Sequence, residues 1–164
     1  MLEKAAPRQR QRPAGARPVY NCRLIDFGLA RRTPEREGTP LEGRLMGGKA
    51  AYVSPEVVDG TVRDWHAADV WALGVCLYNL LTALTLYARP DDKAFRLLRE
   101  RDGARRLLLH HIQHAVHLDP AAAHLIACML NPEPALRPTY EEILQHPWVV
   151  GGGAWGSEGL VPLA

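Results

Sequence analysis

Gly43, Gly48 and Lys49 have the spacing of a phosphate-binding loop, in which backbone N–H groups and a lysine surround nucleotide phosphates. Such a loop needs a Ser or Thr directly after the lysine to bind Mg²⁺, and this chain has Ala50 there. It also needs a helix that begins at the lysine, whereas Pro55 would end such a helix within two turns. The residues therefore argue against a triphosphate site in this loop.

Four histidines, His110, His111, His114 and His117, are the other group that could do chemistry. His110 and His114 are four positions apart, so on a helix they would share one face at the spacing of a metal site. No nearby Glu or Cys completes a ligand set for zinc. We expect solvated histidines on a surface helix.

The composition indicates a globular intracellular domain. The chain has 164 residues, 47% hydrophobic content and a formal net charge of only +2, so no strong field favours nucleic acid as a partner. Three cysteines, Cys22, Cys76 and Cys128, lie far apart among apolar neighbours, which is typical of reduced thiols. We expect a cytoplasmic protein without nucleic-acid or membrane partners.

Residues 70–88 carry no charge and have the length of a membrane span. Asp69 stands directly before them, Gly74 and Asn79 lie inside, and no Lys or Arg cluster flanks them. The central helix of a globular domain is the better interpretation.

The two ends of the chain differ in composition from the middle. Residues 1–18 carry five Lys or Arg against one Glu, with three prolines, and predict a disordered basic arm. Such an arm could also bind nucleic acid or act as an organellar address, but it lacks aromatics and an apolar run. Residues 150–164 are rich in glycine and predict a flexible tail.

Between these ends, residues 19–28 read as a strand that enters a turn, and residues 29–51 as a long polar loop. The remaining pattern is helical, over residues 67–82, 91–101, 105–117, 120–130 and 140–146. Asp119 before Pro120 predicts an N-cap, and Thr139 with Glu142 predicts a capping box.

Four short motifs follow one another along the chain, and their order and spacing are informative about its family. They are Asp26-Phe27-Gly28, then Ser54-Pro55-Glu56, then Asp69-Val70-Trp71-Ala72-Leu73-Gly74, then Arg137-Pro138-Thr139. In this order and spacing the chain resembles the C-terminal lobe of a protein kinase of the serine/threonine type, over about residues 19–149. The stretch 130–148 is similar to the endings of calcium/calmodulin-dependent-type kinases.

The resemblance implies a mainly α fold, the helical C-terminal lobe of a kinase, with a short β segment before the Asp-Phe-Gly motif and no N-terminal lobe. It divides the partial kinase domain 19–149 into an activation segment, 26–56, and a helical subdomain, 57–149. The activation-segment residues that it marks are Asp26, Phe27, Gly28, Gly48, Lys49, Tyr52, Pro55 and Glu56.

The same resemblance implies roles for single residues. Asp26 would hold Mg²⁺ against the phosphates of ATP, since a carboxylate is a hard oxygen ligand. Glu56 would pair with Arg137 and lock the activation segment to the helical lobe, and Trp71 is also marked as a structural residue. Asp69 is either the aspartate that hydrogen-bonds the catalytic loop or a plain acidic residue near a helix N-terminus.

Other residues in this region concern regulation and substrate positioning. Thr33 and Thr39 lie where the family often takes an activating phosphate, although threonines in a polar loop are also ordinary. Two residues depart from the family pattern: Ser54 replaces Ala, and Lys49 replaces a Thr that usually faces the catalytic loop. The second departure argues against normal substrate positioning.

Residues 1–25 contain no His-Arg-Asp motif, so this sequence has no catalytic-loop Asp. They also contain no glycine-rich loop. The first hypothesis is therefore a truncated serine/threonine kinase domain that uses ATP and Mg²⁺ by family but is inactive as this isolated chain. The alternative is a non-catalytic, pseudokinase-like module that docks a protein substrate or partner. Nothing in the residues favours an enzyme of another class. We also expect self-association through apolar surface that the missing parts would cover.

Overall fold

The computed structural model describes residues 23–30, 49–114 and 118–151. Contacts between Cα atoms divide the chain into two compact units, residues 1–30 and residues 31–164. Each unit is described by itself.

The described part of the first unit is a short turn. Phe27–Leu29 form one turn of 3₁₀-helix, and the Asp26 side chain caps it by accepting a hydrogen bond from the Gly28 backbone N–H at 3.3 Å. Asp26 has a left-handed backbone with φ of 60°. Leu24, Ile25 and Phe27 are all exposed.

The second unit is helical. Its α-helices, in chain order, are α1 (Pro55–Val58), α2 (Trp65–Thr82), α3 (Lys93–Leu98), α4 (Gly103–His114), α5 (Pro120–Met129), α6 (Tyr140–Gln145) and α7 (Pro147–Val150). Two single turns of 3₁₀-helix, Ala50–Tyr52 and Pro134–Leu136, precede α1 and α6.

Helix α2 is the central element of this unit. It begins where the Asp64 carboxylate accepts hydrogen bonds from the backbone N–H groups of His66 and Ala67, at 2.8 and 3.3 Å. It ends at Ala83, which adopts a left-handed conformation and returns its N–H to the Asn79 carbonyl. Local capping at both ends therefore sets the length of the helix.

Helices α5 and α6 begin at side-chain caps that neighbouring residues supply. Asp119 accepts hydrogen bonds from the first free N–H groups of α5, ahead of Pro120. Thr139 and Glu142 form a reciprocal capping box at the start of α6. Both caps are as the residue pattern predicts.

The core forms where α2 crosses α5, with α3 and α4 packed beside them. Trp71, Tyr78, Phe95 and Ile126 are among its fully buried side chains. Gly74 allows the close approach of the two central helices, because a Cβ atom there would lie only 2.9 Å from Met129 Cβ. A second, smaller cluster joins α2, α5 and α6 through Val70, Leu125, Met129 and Ile143, and α7 packs against it through Trp148 and Val149.

The mainly helical fold agrees with the prediction, while several details differ. Residues 23–26 form no strand, and residues 19–22 lie outside the described part; Asp26 has a positive φ that a strand does not allow. Helices α1 and α7 were not predicted, since a single turn of four residues has no measurable periodicity.

The apolar stretch 70–88 is not one helix, because α2 ends at Thr82 and an irregular segment follows. Among the described residues, no helix is both long and apolar enough to cross a membrane.

Candidate functional site

A buried ion pair joins two motifs that are 81 positions apart in the chain. Arg137 donates from Nη1 to Glu56 Oε1 at 2.6 Å and from Nη2 to Glu56 Oε2 at 2.8 Å. Both residues are buried, with 7% and 6% of their surfaces exposed. This two-bond geometry is the strong form of an arginine–carboxylate pair and fixes the orientation of both groups.

Arg137 also binds backbone carbonyls and packs on an aromatic ring. Its Nη1 donates to the Ala67 carbonyl and its Nε to the Asn131 carbonyl, each at 2.8 Å. The guanidinium carbon lies 5.0 Å from the centre of the Trp71 ring, within reach of a cation–π interaction. One side chain thus ties α1, the first turn of α2 and the segment after α5 together.

A second chain of hydrogen bonds leads from Trp71 back to the residues before α1. Trp71 Nε1 donates to the Tyr87 hydroxyl, which donates to the Val53 carbonyl, both at 2.9 Å. Burial raises the pKa of Tyr87 to about 12, so the phenol keeps its proton and remains a donor. Residues 53–56 are therefore held at both ends, by Tyr87 at Val53 and by Arg137 at Glu56.

The electrostatics of the pair favour an ionised carboxylate. Burial alone would raise the pKa of Glu56, but the hydrogen bonds and positive charge of Arg137 outweigh it and lower that pKa below its ordinary value of 4.5. The buried charge is thus compensated directly by its partner.

Ser54 stands between the two anchored residues and is itself buried. Its hydroxyl lies close enough to the Glu56 carboxylate to contribute to the lowered pKa, yet within the described residues it makes no hydrogen bond of ordinary geometry. Lys49 is exposed, and the backbone from Ala50 to Tyr52 turns as a 3₁₀-helix instead of starting an α-helix. The absence of an α-helix there agrees with the argument against a phosphate loop.

Asp69 lies on the exposed side of α2, yet the surrounding protein removes enough water to raise the pKa of its carboxyl. The charge of His66 offsets part of that increase.

Residues 16–149 match the protein kinase domain family. That segment is more than half of the chain and includes both partners of the buried ion pair. The chain belongs to the protein kinase family.

Several kinases, two of them serine/threonine-protein kinases by name, are similar to this member of the family. Maternal embryonic leucine zipper kinase of Danio rerio is 32% identical over 133 residues, which cover 81% of this chain and 18% of the relative. Human testis-specific serine/threonine-protein kinase 3 is 32% identical over 132 residues, 79% of this chain and 45% of the relative. Serine/threonine-protein kinase SAPK7 of Oryza sativa subsp. japonica is 34% identical over 131 residues, 80% of this chain and 35% of the relative. The chain spans less than half the length of each of these curated relatives.

The remaining kinase-like residues are divided between the first unit and the undescribed segments. Asp26 is exposed in the first unit, where one carboxylate oxygen accepts the Gly28 N–H. Gly48, Thr33 and Thr39 lie outside the described residues.

The histidine cluster does not form a metal site in the described part of the chain, where no group of three His, Cys, Asp or Glu could hold an ion. His110 is exposed, His111 contacts Tyr78, and the His114 side chain and His117 lie outside the description.

The site also contains three residues that were not predicted from the sequence, namely Tyr87, Val53 and Asn131. Val53 and Asn131 contribute only backbone carbonyls, which no residue type signals. Tyr87 stands at the end of an apolar run, where its type indicates burial but not its hydrogen-bond partners.

Proposed function

We propose that this chain supplies the activation segment and helical lobe of a serine/threonine protein kinase, which transfers phosphate from ATP to protein hydroxyl groups. Membership of the family supports the kinase activity, and the names of two relatives support the serine/threonine type. One observation carries it furthest: the buried pair of Glu56 with Arg137 anchors the segment just before α1.

The anchored segment is suited to presenting a protein substrate. Residues 53–56 are held at both ends, by Tyr87 at Val53 and by Arg137 at Glu56. Positioning accounts for most of the catalytic power of kinases, so a rigid platform beside the substrate is what this chemistry requires.

Asp26 is the residue that we propose to hold Mg²⁺. Its carboxylate is exposed and one oxygen accepts only a weak backbone hydrogen bond at 3.3 Å, so it fits as one hard-oxygen ligand. Mg²⁺ prefers six ligands and keeps several waters, so other groups would complete the site. When bound, the ion neutralises charge on the phosphates of ATP.

A chimera tests the role of these residues in phosphotransfer. Residues 26–151 of this chain would replace the segment from the Asp-Phe-Gly motif onward in human testis-specific serine/threonine-protein kinase 3. We expect ATP-dependent phosphorylation of a serine peptide, with kcat lowered about a thousandfold or more by Asp26→Asn at an unchanged melting temperature. A folded chimera in which Asp26→Asn leaves kcat unchanged would contradict the metal-binding role of Asp26.

The 164-residue polypeptide alone is predicted to show no phosphotransfer above background. Within it no His-Arg-Asp motif precedes Asp26, and residues that act as one catalytic unit retain little activity singly. Radiolabelled ATP with Mg²⁺ or Mn²⁺ and a generic basic substrate would measure this. Turnover that disappears in Asp26→Ala would show instead that this polypeptide is a working kinase.

The second candidate function is a non-catalytic docking module, and the exposed apolar face of α2 favours it. Leu73 and Leu80 lie seven positions apart on that helix and are 46% and 81% exposed. We propose that in the isolated chain this face mediates self-association with a second copy. The free thiols of Cys76 and Cys128 support a cytoplasmic location for either function.

A further inference from the structure

A groove lies between the first turns of α2 and α6, and neither Leu73 nor Leu80 of the exposed apolar face of α2 lines it. Its volume is about 390 Å³, near the lower end of small-ligand pockets, which range from about 300 to 1,000 Å³. Its lining includes Asp64, Val70, Ala135, Tyr140 and Glu141. A groove of this size accommodates one or two side chains of a peptide.

The charge around this groove is negative. Asp64 and Glu141 line it and are both exposed. Partial burial raises the pKa of the Tyr140 phenol, and the carboxylates of Asp69 and Asp64 raise it further, so Asp69 also acts on this site. The two carboxylates that line the groove, with Asp69 acting on the same phenol, favour a cation at this site.

The positive groups of the groove do not cancel this charge. Arg137 lines it, but its guanidinium is engaged with Glu56 and with the carbonyls of Ala67 and Asn131. His66 is the other basic side chain in the lining, and its ring meets Tyr140 edge-on with centroids 6.0 Å apart. This imidazole ring adds aromatic surface to the groove.

The floor of the groove is apolar, because Val70, Ala67, Ala135 and two prolines, Pro134 and Pro138, contribute to it. An aromatic ring beside carboxylates and an apolar floor is a combination that binds the long stem and charged head of arginine. We propose that this groove binds an extended segment of a partner protein that carries an arginine next to an apolar residue. The interaction requires neither Asp26 nor phosphotransfer.

Fluorescence anisotropy with three labelled octapeptides tests the proposal on the full 164-residue chain. The first peptide is Gly-Ala-Pro-Arg-Leu-Pro-Ala-Gly; in the second, citrulline replaces arginine with nearly the same shape and no charge; in the third, glutamate replaces arginine. We expect saturable binding of the arginine peptide, at least about tenfold weaker binding of the citrulline peptide, and none of the glutamate peptide.

Matched variants locate the binding site. Asp64→Asn with Glu141→Gln removes two charges from the groove while asparagine still caps α2. Glu100→Gln with Asp102→Asn removes two charges from exposed residues between α3 and α4, and asparagine tolerates the positive φ of 59° at position 102. We expect the groove variant to weaken binding about tenfold or more and the control variant to leave it within about twofold.

Three results would overturn the assignment. Equal affinity for the arginine and citrulline peptides would show that the groove does not recognise a cation. Equal losses of peptide affinity in the groove and control variants would show the same. N-acetyl-arginine methylamide that binds as tightly as the octapeptide would show that the occupant is a small cation and not a peptide. Far-ultraviolet circular dichroism of each variant establishes that it remains folded.

Discussion

At the scale of single residues, the burial of the Arg137 guanidinium determines what its loss would do. Arg137→Ala would leave the Glu56 carboxylate buried without its arginine partner and would remove one donor from each of two backbone carbonyls. Breaking such a pair costs about 3–5 kcal/mol. We expect a fall of that size in the free energy of unfolding, measured from urea denaturation.

Arg96 on α3 is the matched control, because it is an exposed arginine. A loss of unfolding free energy in Arg137→Ala no larger than that in Arg96→Ala would contradict the structural role of the pair.

Acid titration provides a second check of the Glu56–Arg137 pair. The lowered pKa of Glu56 adds stability above about pH 4.5, and that stability is lost as the pH falls through the folded-state pKa.

At the scale of elements, two histidines join α5 to the segment between α6 and α7. His146 Nδ1 accepts the Trp148 backbone N–H at 3.3 Å, so the proton of the neutral ring belongs on Nε2, 3.0 Å from His124 Nδ1. Protonation of His146 at Nδ1 would break the cap of α7. Burial, and then the charge of His124, lower the pKa of His146.

The lowered pKa of His146 gives the pH dependence a definite sign. The unfolded chain binds the proton more readily, so this contribution to stability is complete above about pH 6.5 and is lost as the pH falls through the folded-state pKa. We expect His146→Asn, which retains a capping acceptor, to lose less stability than the wild type between about pH 7.5 and pH 5.5. An identical pH slope in the wild type and in His146→Asn would contradict the role of the pair.

The substitution Gly74→Ala tests the packing of α2 against α5. The sign of the change in stability shows whether helix propensity or close packing dominates at this position. On an isolated helix, Gly→Ala would stabilise by about 1 kcal/mol. Here the added Cβ would lie 2.9 Å from Met129 Cβ and 3.1 Å from Leu130 Cδ2, so we expect Gly74→Ala to destabilise by about 1–3 kcal/mol. Thermal unfolding measures the difference, and a stabilised variant would show that α2 and α5 separate at no cost.

At the scale of the whole molecule, the exposed face of α2 predicts how the isolated chain behaves in solution. Leu73 and Leu80 are apolar side chains on the side of the helix opposite the buried Trp71. We expect light scattering to detect dimers or larger species at high micromolar concentration, and Leu80→Lys to shift them toward monomer.

Leu136→Lys is the matched control for this measurement, because Leu136 is 67% exposed but lies outside α2. We expect it to associate like the wild type. A monomeric wild-type chain that binds no dye for exposed apolar surface would contradict self-association, and equal effects of the two substitutions would exclude α2 as its site.

The sequence by itself determined the mainly helical fold and most of the helices. The caps at Asp119 and Thr139 could be predicted because each contacts backbone groups within three positions along the chain. The order of four motifs also identified the family, and through it Glu56 and Arg137 as partners. These conclusions rest on local patterns or on spacing that the linear chain already contains.

Only the tertiary structure decided how that pair is supported and where a groove forms. The bond from Tyr87 to the Val53 carbonyl spans 34 positions, and the groove forms where the first turns of α2 and α6 come together. A tyrosine hydroxyl can donate to any carbonyl within reach, so its residue type does not select its partner. Burial selects the partner. Packing α2 against α5 removes water from the side chains of Trp71, Tyr87 and Arg137. Each buried polar group must then pair with a group on a chain segment that the same packing brings within reach.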